Sequence, residues 1–312
     1  MSQLLTQGGS IMGWRTIMIS HHAKVSLTAG NLDIQTDTDR FHVPVRDVDI
    51  LLVQTLQAVV TTSAIAALSE VHAKIIFTGR DGQPICETTG CYPNARTAAL
   101  VTAQVNWNST RVANLWTRIV AAKLNNQIAV ADMLNADVSS LNDEMDKLEL
   151  NDETNREAVV ARQYFPLLFG DDFSRSDFVP VNAALNYGYS ILLSLVDRAI
   201  VARGYLTCFG IHHDNAGNAF NLGSDLMEPF RPIIDYWVAQ HKILDLTPDI
   251  KFGLVRLLEL KMVYEDKTET LENVVEKHVV NCLKYLSDET DQVKIGVVVP
   301  HEVSDNAIND YV

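Results

Sequence analysis

The chain has 312 residues, 47% of them apolar and 21% charged, which excludes intrinsic disorder and leaves room for two domains of ordinary size. No apolar run reaches the roughly 18–20 residues of a membrane span, and the N-terminus lacks the basic-then-apolar order of a secretory signal, so a cytoplasmic location is expected. The net charge of −14 argues against nucleic acid at first sight, but residues 136–157 hold eight acidic and two basic residues, and residues 261–312 hold eleven and five. The remainder is almost neutral and compatible with a local basic groove, for which Arg96, Arg111, Arg162 and Arg231 are candidates.

Residues 1–11 are polar with a Gly8-Gly9 pair and read as a flexible extension, with Met12 as a plausible natural start. From Trp14 the pattern is short and strand-like: 14–19, 24–27, 32–35, 41–45 and 48–54 are rich in β-branched and apolar residues, with Ala29-Gly30-Asn31 as a turn. Thr61, Thr62 or Ser63 caps a short helix to about His72. Strands at 74–78 and 83–86 then flank Gly79-Arg80-Asp81-Gly82, a hairpin signal. This predicts a small β-rich domain over 12–93.

After Pro93 the period becomes helical. Leu100, Val101, Val105, Val112, Leu115, Ile119 and Val120 recur at helical spacing, and Asn108 or Ser109 serves as a helix cap rather than a glycosylation acceptor. Further helices are predicted over 128–134, 158–169, 181–201, 233–243, 250–262 and 269–286, with Pro229 and Pro232 leading into the fourth. The fold class is therefore α+β: a small β-rich N-terminal domain followed by a larger all-α domain over 94–312. Cys86, Cys91, Cys208 and Cys282 form no CxxC pair, so free thiols are expected.

Phosphate loops, GxGxxG, GxSxG and HExxH are all missing from the sequence, which argues against P-loop ATPases, Rossmann dehydrogenases, common serine hydrolases and zincins. Three polar segments remain. Thr154-Asn155-Arg156-Glu157 matches a capping box, in which the glutamate only bonds the helix terminus. Cys208 to Asn215 holds the pair His212-His213 in a polar loop, ordinarily a solvated turn. Ser224 to Pro232 places Asp225 and Glu228 on one side of a helical turn, with Arg231 in reach of either for a plain ion pair. Each segment alone has a structural explanation.

In order and spacing, however, the three match a known pattern. Met12-Gly13-Trp14-Arg15-Thr16, Val48 to Leu52, Asn155-Arg156-Glu157, Tyr164 to Phe173, Asn182, Asn186 to Tyr189, Phe209 to His213 and Ser224 to Pro232 together resemble the Cas1 family of CRISPR-associated spacer-acquisition integrases, in the branch that accompanies Cas9. The chain departs from that pattern at Pro93 to Arg96, at His212 and at Ala158-Val159.

The resemblance implies that Glu157, His213 and Glu228 are catalytic metal ligands, with Asp225 beside them as a supporting acid and Tyr187 either positioning DNA or simply buried. Such a set of two carboxylates and an imidazole suits Mg²⁺ or Mn²⁺. The implied activity is metal-dependent DNA integration and cleavage, inserting spacer DNA into a CRISPR array by 3′-hydroxyl attack on a repeat phosphodiester. Plain nuclease action or a non-catalytic structural role are the alternatives. The implied partners are prespacer and repeat DNA, a second copy of the chain through the β-domain, a Cas2 dimer, and Cas9 with other acquisition proteins. If the two glutamates converge without metal, their mutual repulsion should strain the site.

Overall fold

The computed structural model describes residues 15–79, 84–88 and 97–300. The N-terminal extension, Met12 to Trp14, Arg80 to Gly82 of the hairpin turn, Cys91, Pro93 to Arg96 and the tail from His301 lie outside them. The chain divides into two compact units, Met1–Tyr92 and Pro93–Val312.

The first unit is built from two four-stranded sheets. One has the order β1 (Arg15–Ile19), β5 (Val48–Val53), β7 (Lys74–Thr78), β8 (Pro84–Glu87), parallel except for the β7–β8 pair. Every residue of β5 is buried, as expected of a central parallel strand covered on both faces. The other sheet has the order β4 (Arg40–Pro44), β3 (Asn31–Thr36), β2 (Ala23–Thr28), β6 (Val59–Val60). Ala29 and Gly30 link β2 to β3 at φ 49° and 77°, the left-handed pair of a two-residue hairpin turn. Helix α1 (Thr62–Glu70) is capped by Thr61, whose hydroxyl accepts from the Ala64 N–H. Val25, Leu32, Leu51, Leu68 and Ile75 form the fully buried centre of this unit.

The second unit is mostly helical. Asn108 caps α3 (Ser109–Met133) by accepting from the Thr110 and Arg111 N–H groups. Its buried stripe Leu115, Trp116, Ile119, Val120, Leu124 turns the helix toward α5 (Arg156–Phe169), α8 (Arg231–Gln240) and α10 (Leu271–Leu286). A second long helix, α6 (Pro180–Ala202), packs on α7 (Asn221–Met227), α8, α9 (Pro248–Arg256) and α10. Two shorter helices, α2 (Ala98–Val105) and α4 (Ser139–Met145), complete the set among the described residues. The architecture is α+β, β-rich first and helical after. No helix among the described residues is long and apolar enough to cross a membrane. Cys86, Cys208 and Cys282 are free.

One expectation fails here. The helix predicted over 250–262 ends at Arg256, and Lys261–Tyr264 is a strand, β9, paired antiparallel with β10 (Lys267–Thr270). Thus the second unit is not purely helical. The cause is local: Met262 and Tyr264 point inward and Lys261 and Val263 outward, a two-residue period too brief to stand out against the helical pattern before it. The turn Glu265-Asp266 takes φ 49° and 62° without glycine or asparagine, so the usual hairpin signal is missing.

Candidate active site

Glu157 lies in the first turn of α5, behind a tightly wound loop. Asn151, Asp152 and Asn155 all take positive φ, 62°, 50° and 54°, in the left-handed region that Asn and Asp tolerate best. Asp152 accepts from the Arg156 and Glu157 N–H groups at 2.6 and 3.1 Å, and Asn155 caps the helix from Ala158 N. The capping-box reading is therefore not realised: Asn155, not Thr154, is the cap, and the Glu157 carboxylate leaves the helix terminus. Arg156 is held by an ion pair with Glu144 of α4 at 2.5 Å.

The Glu157 carboxylate reaches Lys123 instead. Lys123 sits two turns after Trp116 on α3, in the buried stripe, with its side chain 9% exposed. Its Nζ donates to Glu157 Oε1 at 2.5 Å and also stands 2.5 Å from Glu228 Oε2. Glu228 occupies a single 3-10 turn, Glu228–Phe230, which joins α7 to α8. Asn126 locks that turn to α3, its amide donating to Pro229 O at 2.9 Å and Val297 O at 3.0 Å. Arg231 Nε lies 3.0 Å from Glu228 Oε1. The contacts of Lys123 and Arg231 with Glu228 are close ion contacts without hydrogen-bond alignment, so Glu228 Oε2 is buried with no directed donor.

These charges hold one another ionised. Burial works against a charge on Lys123, but Glu228 and Glu157 outweigh it and its pKa is raised. Burial likewise opposes the charge on Glu228, yet Arg231 and Lys123 bring its pKa below the ordinary carboxylate value. The expected strain between two bare glutamates is thus absent: a lysine ammonium stands between them.

His213 comes from the loop between α6 and α7, and Asp225 on α7 organises that loop. The fully buried Asp225 carboxylate accepts from the backbone N–H groups of Ile211, His212 and His213 at 2.7, 3.1 and 3.1 Å. It also lies 2.6 Å from His213 Nδ1. An ionised carboxylate only accepts, so Nδ1 carries the proton in this bond and Nε2 is left as the ring's donor atom for a ligand. The His213 pKa is raised, first by the Asp225 hydrogen bond, against partial desolvation, and further by the fields of Asp225, Glu228 and Glu157. His212 stacks flat on Trp116, ring centres 4.1 Å apart. The side chains of Glu228, Glu157 and His213 are 3%, 20% and 42% exposed, so the site opens toward His213.

Glu157 and Glu228 are therefore brought together on one ammonium, with His213 in their electrostatic reach. Among the described residues, no three His, Cys, Asp or Glu side chains converge closely enough to hold a metal ion as they stand. Lys123 occupies the position between the two carboxylates.

The family model for CRISPR associated protein Cas1 matches residues 17–166 and 174–242, well over half of the sequence. The chain belongs to the Cas1 family. A CRISPR-associated endonuclease Cas1 from Neisseria meningitidis serogroup C (strain 8013) is 30% identical over 297 residues, covering 93% of this chain and 98% of that protein. Among solved structures, a casposase bound to integration product aligns with TM-score 0.76 at 20% identity, over 90% of this chain and 93% of its own. A Cas6-RT-Cas1–Cas2 complex aligns with TM-score 0.71 at 18% identity, over 97% of this chain and 37% of that one. At these identities the two structures establish the shared fold.

Other motif residues of this Cas1 chain form the frame behind the site. Tyr164 and Tyr189 both donate to Asp235, whose burial pushes its carboxyl up to about 6. Arg175 bonds Asn182 and Asn186 and lies over the rings of Phe165 and Tyr189. Tyr187 is buried in α6, with Lys251 Nζ 5.9 Å from its ring centre. Lys123 is the residue that sequence reasoning missed. A lysine on a mostly apolar helical stripe was its only signal.

Proposed function

We propose that this Cas1 chain is a metal-dependent DNA integrase and endonuclease of CRISPR spacer acquisition. The observation that carries this reading is the convergence of Glu157 and Glu228, from separate elements, on a single cation beside a carboxylate-anchored histidine. Carboxylates held on an ammonium, one with a buried oxygen lacking a directed donor, fit a cation site. Two carboxylates and the His213 Nε2 suit Mg²⁺ or Mn²⁺. Bound by these residues, such an ion supplies Lewis-acid polarisation of a phosphate oxygen and eases ionisation of an attacking hydroxyl.

The chain's own groups do the rest. Asp225 fixes the His213 ring and its tautomer, Arg231 balances the deeply buried Glu228, and Glu157 and His213 line the open side. The 3′-oxygen of the incoming DNA forms a bond to phosphorus and gives up its proton, and the repeat's own 3′-oxygen leaves and takes one. One phosphodiester replaces another, so no nucleotide triphosphate is consumed. Water in place of the hydroxyl gives cleavage from the same groups. A joining assay with a repeat-bearing plasmid separates the two: joining is expected with Mn²⁺ or Mg²⁺, to cease with chelator, and to cease with 3′-dideoxy ends while metal-dependent nicking persists. Joining that survives dideoxy ends or needs ATP would sink the mechanism.

The partners we assign are prespacer and repeat DNA, a second copy of this chain, a Cas2 dimer and, for the branch accompanying Cas9, Cas9 itself. Of the arginines first considered for DNA, Arg96 is outside the described residues, Arg111 pairs with Asp288 and Asp291, and Arg231 pairs with Glu228. Arg162 is exposed, its Nε donating to Ala158 O. Better placed are Arg118, Lys284 and Lys294, which line a cavity of about 430 Å³ and have no ion pair among the described residues. Charge reversal of Lys284 and Lys294 is expected to weaken duplex binding and flatten the plot of log affinity against log salt by about 0.9 per lost phosphate contact. An unchanged slope would remove this cavity from the DNA path.

Dimerisation through the β-rich unit is supported by β1 and β4 being end strands of the two sheets among the described residues, with Phe41 of β4 53% exposed. Sedimentation at micromolar concentration is expected to give a dimer for the native chain and a monomer for Phe41→Glu. A native monomer overturns the assignment.

A further inference from the structure

We propose that Lys123 is the site's resident cation, holding Glu157 and Glu228 together until a divalent ion takes them over and so tying tight metal binding to the arrival of a DNA phosphate. The inference rests on the metal-dependent reading above.

Without metal, Lys123 and Arg231 balance Glu157 and Glu228. A divalent ion added to this set leaves surplus positive charge among side chains that are mostly withdrawn from water, where charge interacts strongly. One cation must give way. Of the two glutamates Arg231 contacts only Glu228, with its guanidinium 4.8 Å from the Tyr189 ring centre, whereas the Lys123 ammonium occupies the position between the two carboxylates. Lys123 carries its ammonium on a flexible four-carbon stem and meets Glu157, the more exposed of the two glutamates. It can therefore turn toward the open side, where the DNA backbone would lie.

A phosphate arriving there supplies the missing negative charge and a new partner for the displaced ammonium. Metal and DNA then favour each other's binding, and by linkage each raises the other's affinity by the same factor. Lys123 acts here as a positioning residue, through the carboxylates. A purely structural ion pair would also hold α3 to α5, but it would not make metal affinity depend on DNA.

The test is a Mn²⁺ titration followed by thermal melting, with and without a duplex carrying 3′-dideoxy ends. In the native chain the duplex is expected to shift the Mn²⁺ midpoint about tenfold lower, an ordinary size for coupling between sites. Lys123→Met is expected to lower the metal-free Tm, yet bind Mn²⁺ alone about tenfold more tightly, with little further gain from DNA. Lys123→Gln replaces it should that variant fail to fold, and Lys123→Arg should restore the DNA dependence. Glu228→Gln serves as the control. If the native chain and Glu228→Gln respond alike to Mn²⁺, the metal site is elsewhere and both readings fall. If the control loses the response while the neutral Lys123 variants keep the native midpoint and DNA shift, the role of Lys123 alone is overturned.

Discussion

Glu228→Gln is expected to abolish strand joining and to cost about 3–5 kcal/mol of stability, because it removes the buried carboxylate that Lys123 and the half-buried Arg231 share and leaves them a single one, Glu157. Glu157→Gln should abolish joining equally but cost only about 1.5 kcal/mol. Glu157 is partly exposed, its amide replacement can still accept from Lys123 Nζ, and Lys123 keeps Glu228. Both variants should lose the Mn²⁺-dependent rise in stability, which for a single site is about 2.7 kcal/mol at a hundredfold excess over Kd. Urea melts without metal read the asymmetry, and melts with Mn²⁺ beside a joining assay read the rest. Equal metal-free losses would show that Lys123 does not bridge the two glutamates. Normal joining by Glu157→Gln would remove that residue from the active site.

The elements that position this site were legible where a residue's local signal and its burial agreed. Asn108 reads as a cap and is one, Pro232 stands in the first turn of α8 as a helix entry should, and the alternating and β-branched runs between Arg15 and Thr78 became strands close to where they were expected. The hairpin β9–β10 was illegible because four residues of alternation cannot outvote a helical stretch. At Glu157 the local signal misled. Thr154 and Glu157 have the spacing of a reciprocal cap, but the left-handed turn through Asn151, Asp152 and Asn155 hands capping to Asp152 and Asn155. That freed the glutamate to face α3, a contact between residues 34 positions apart that no local pattern encodes. Lys123 was hidden for a related reason. Its helix reads as amphipathic, and a lysine followed by Asn126 and Gln127 looks like a break in the stripe until its two counter-charges are known. The resemblance pointed to Glu157, His213 and Glu228, but not to the ammonium between two of them.

Asp225→Asn is the variant expected to damage the site without touching a proposed ligand. Four donors converge on the two carboxylate oxygens: Ile211 and His212 N–H on Oδ2, His213 N–H and Nδ1–H on Oδ1. Asparagine offers one acceptor oxygen and turns an NH₂ toward the remaining two donors, whichever way the amide is placed. Two hydrogen bonds to a buried side chain are lost, at a cost of about 2–4 kcal/mol. The loss should be concentrated in the loop between α6 and α7. That segment has no regular structure of its own, so faster proteolysis between Leu206 and Phe220 is expected before any change in the first unit. Gly210 shows how closely the clamp is fitted, since a Cβ there would come within 2.2 Å of His213 O and 2.7 Å of Asp225 Oδ2. Gly210→Ala should therefore loosen the same loop from its other side. Without the Asp225 carboxylate the His213 ring loses both its orientation and the tautomer that presents Nε2, and metal affinity or joining should fall by about 10- to 100-fold. Joining rate, Mn²⁺ midpoint and loop proteolysis measured on Asp225→Asn decide the matter. If joining and loop protection both stay at the native level, the carboxylate is not what holds His213, and the donor set proposed here loses the group that aims its imidazole.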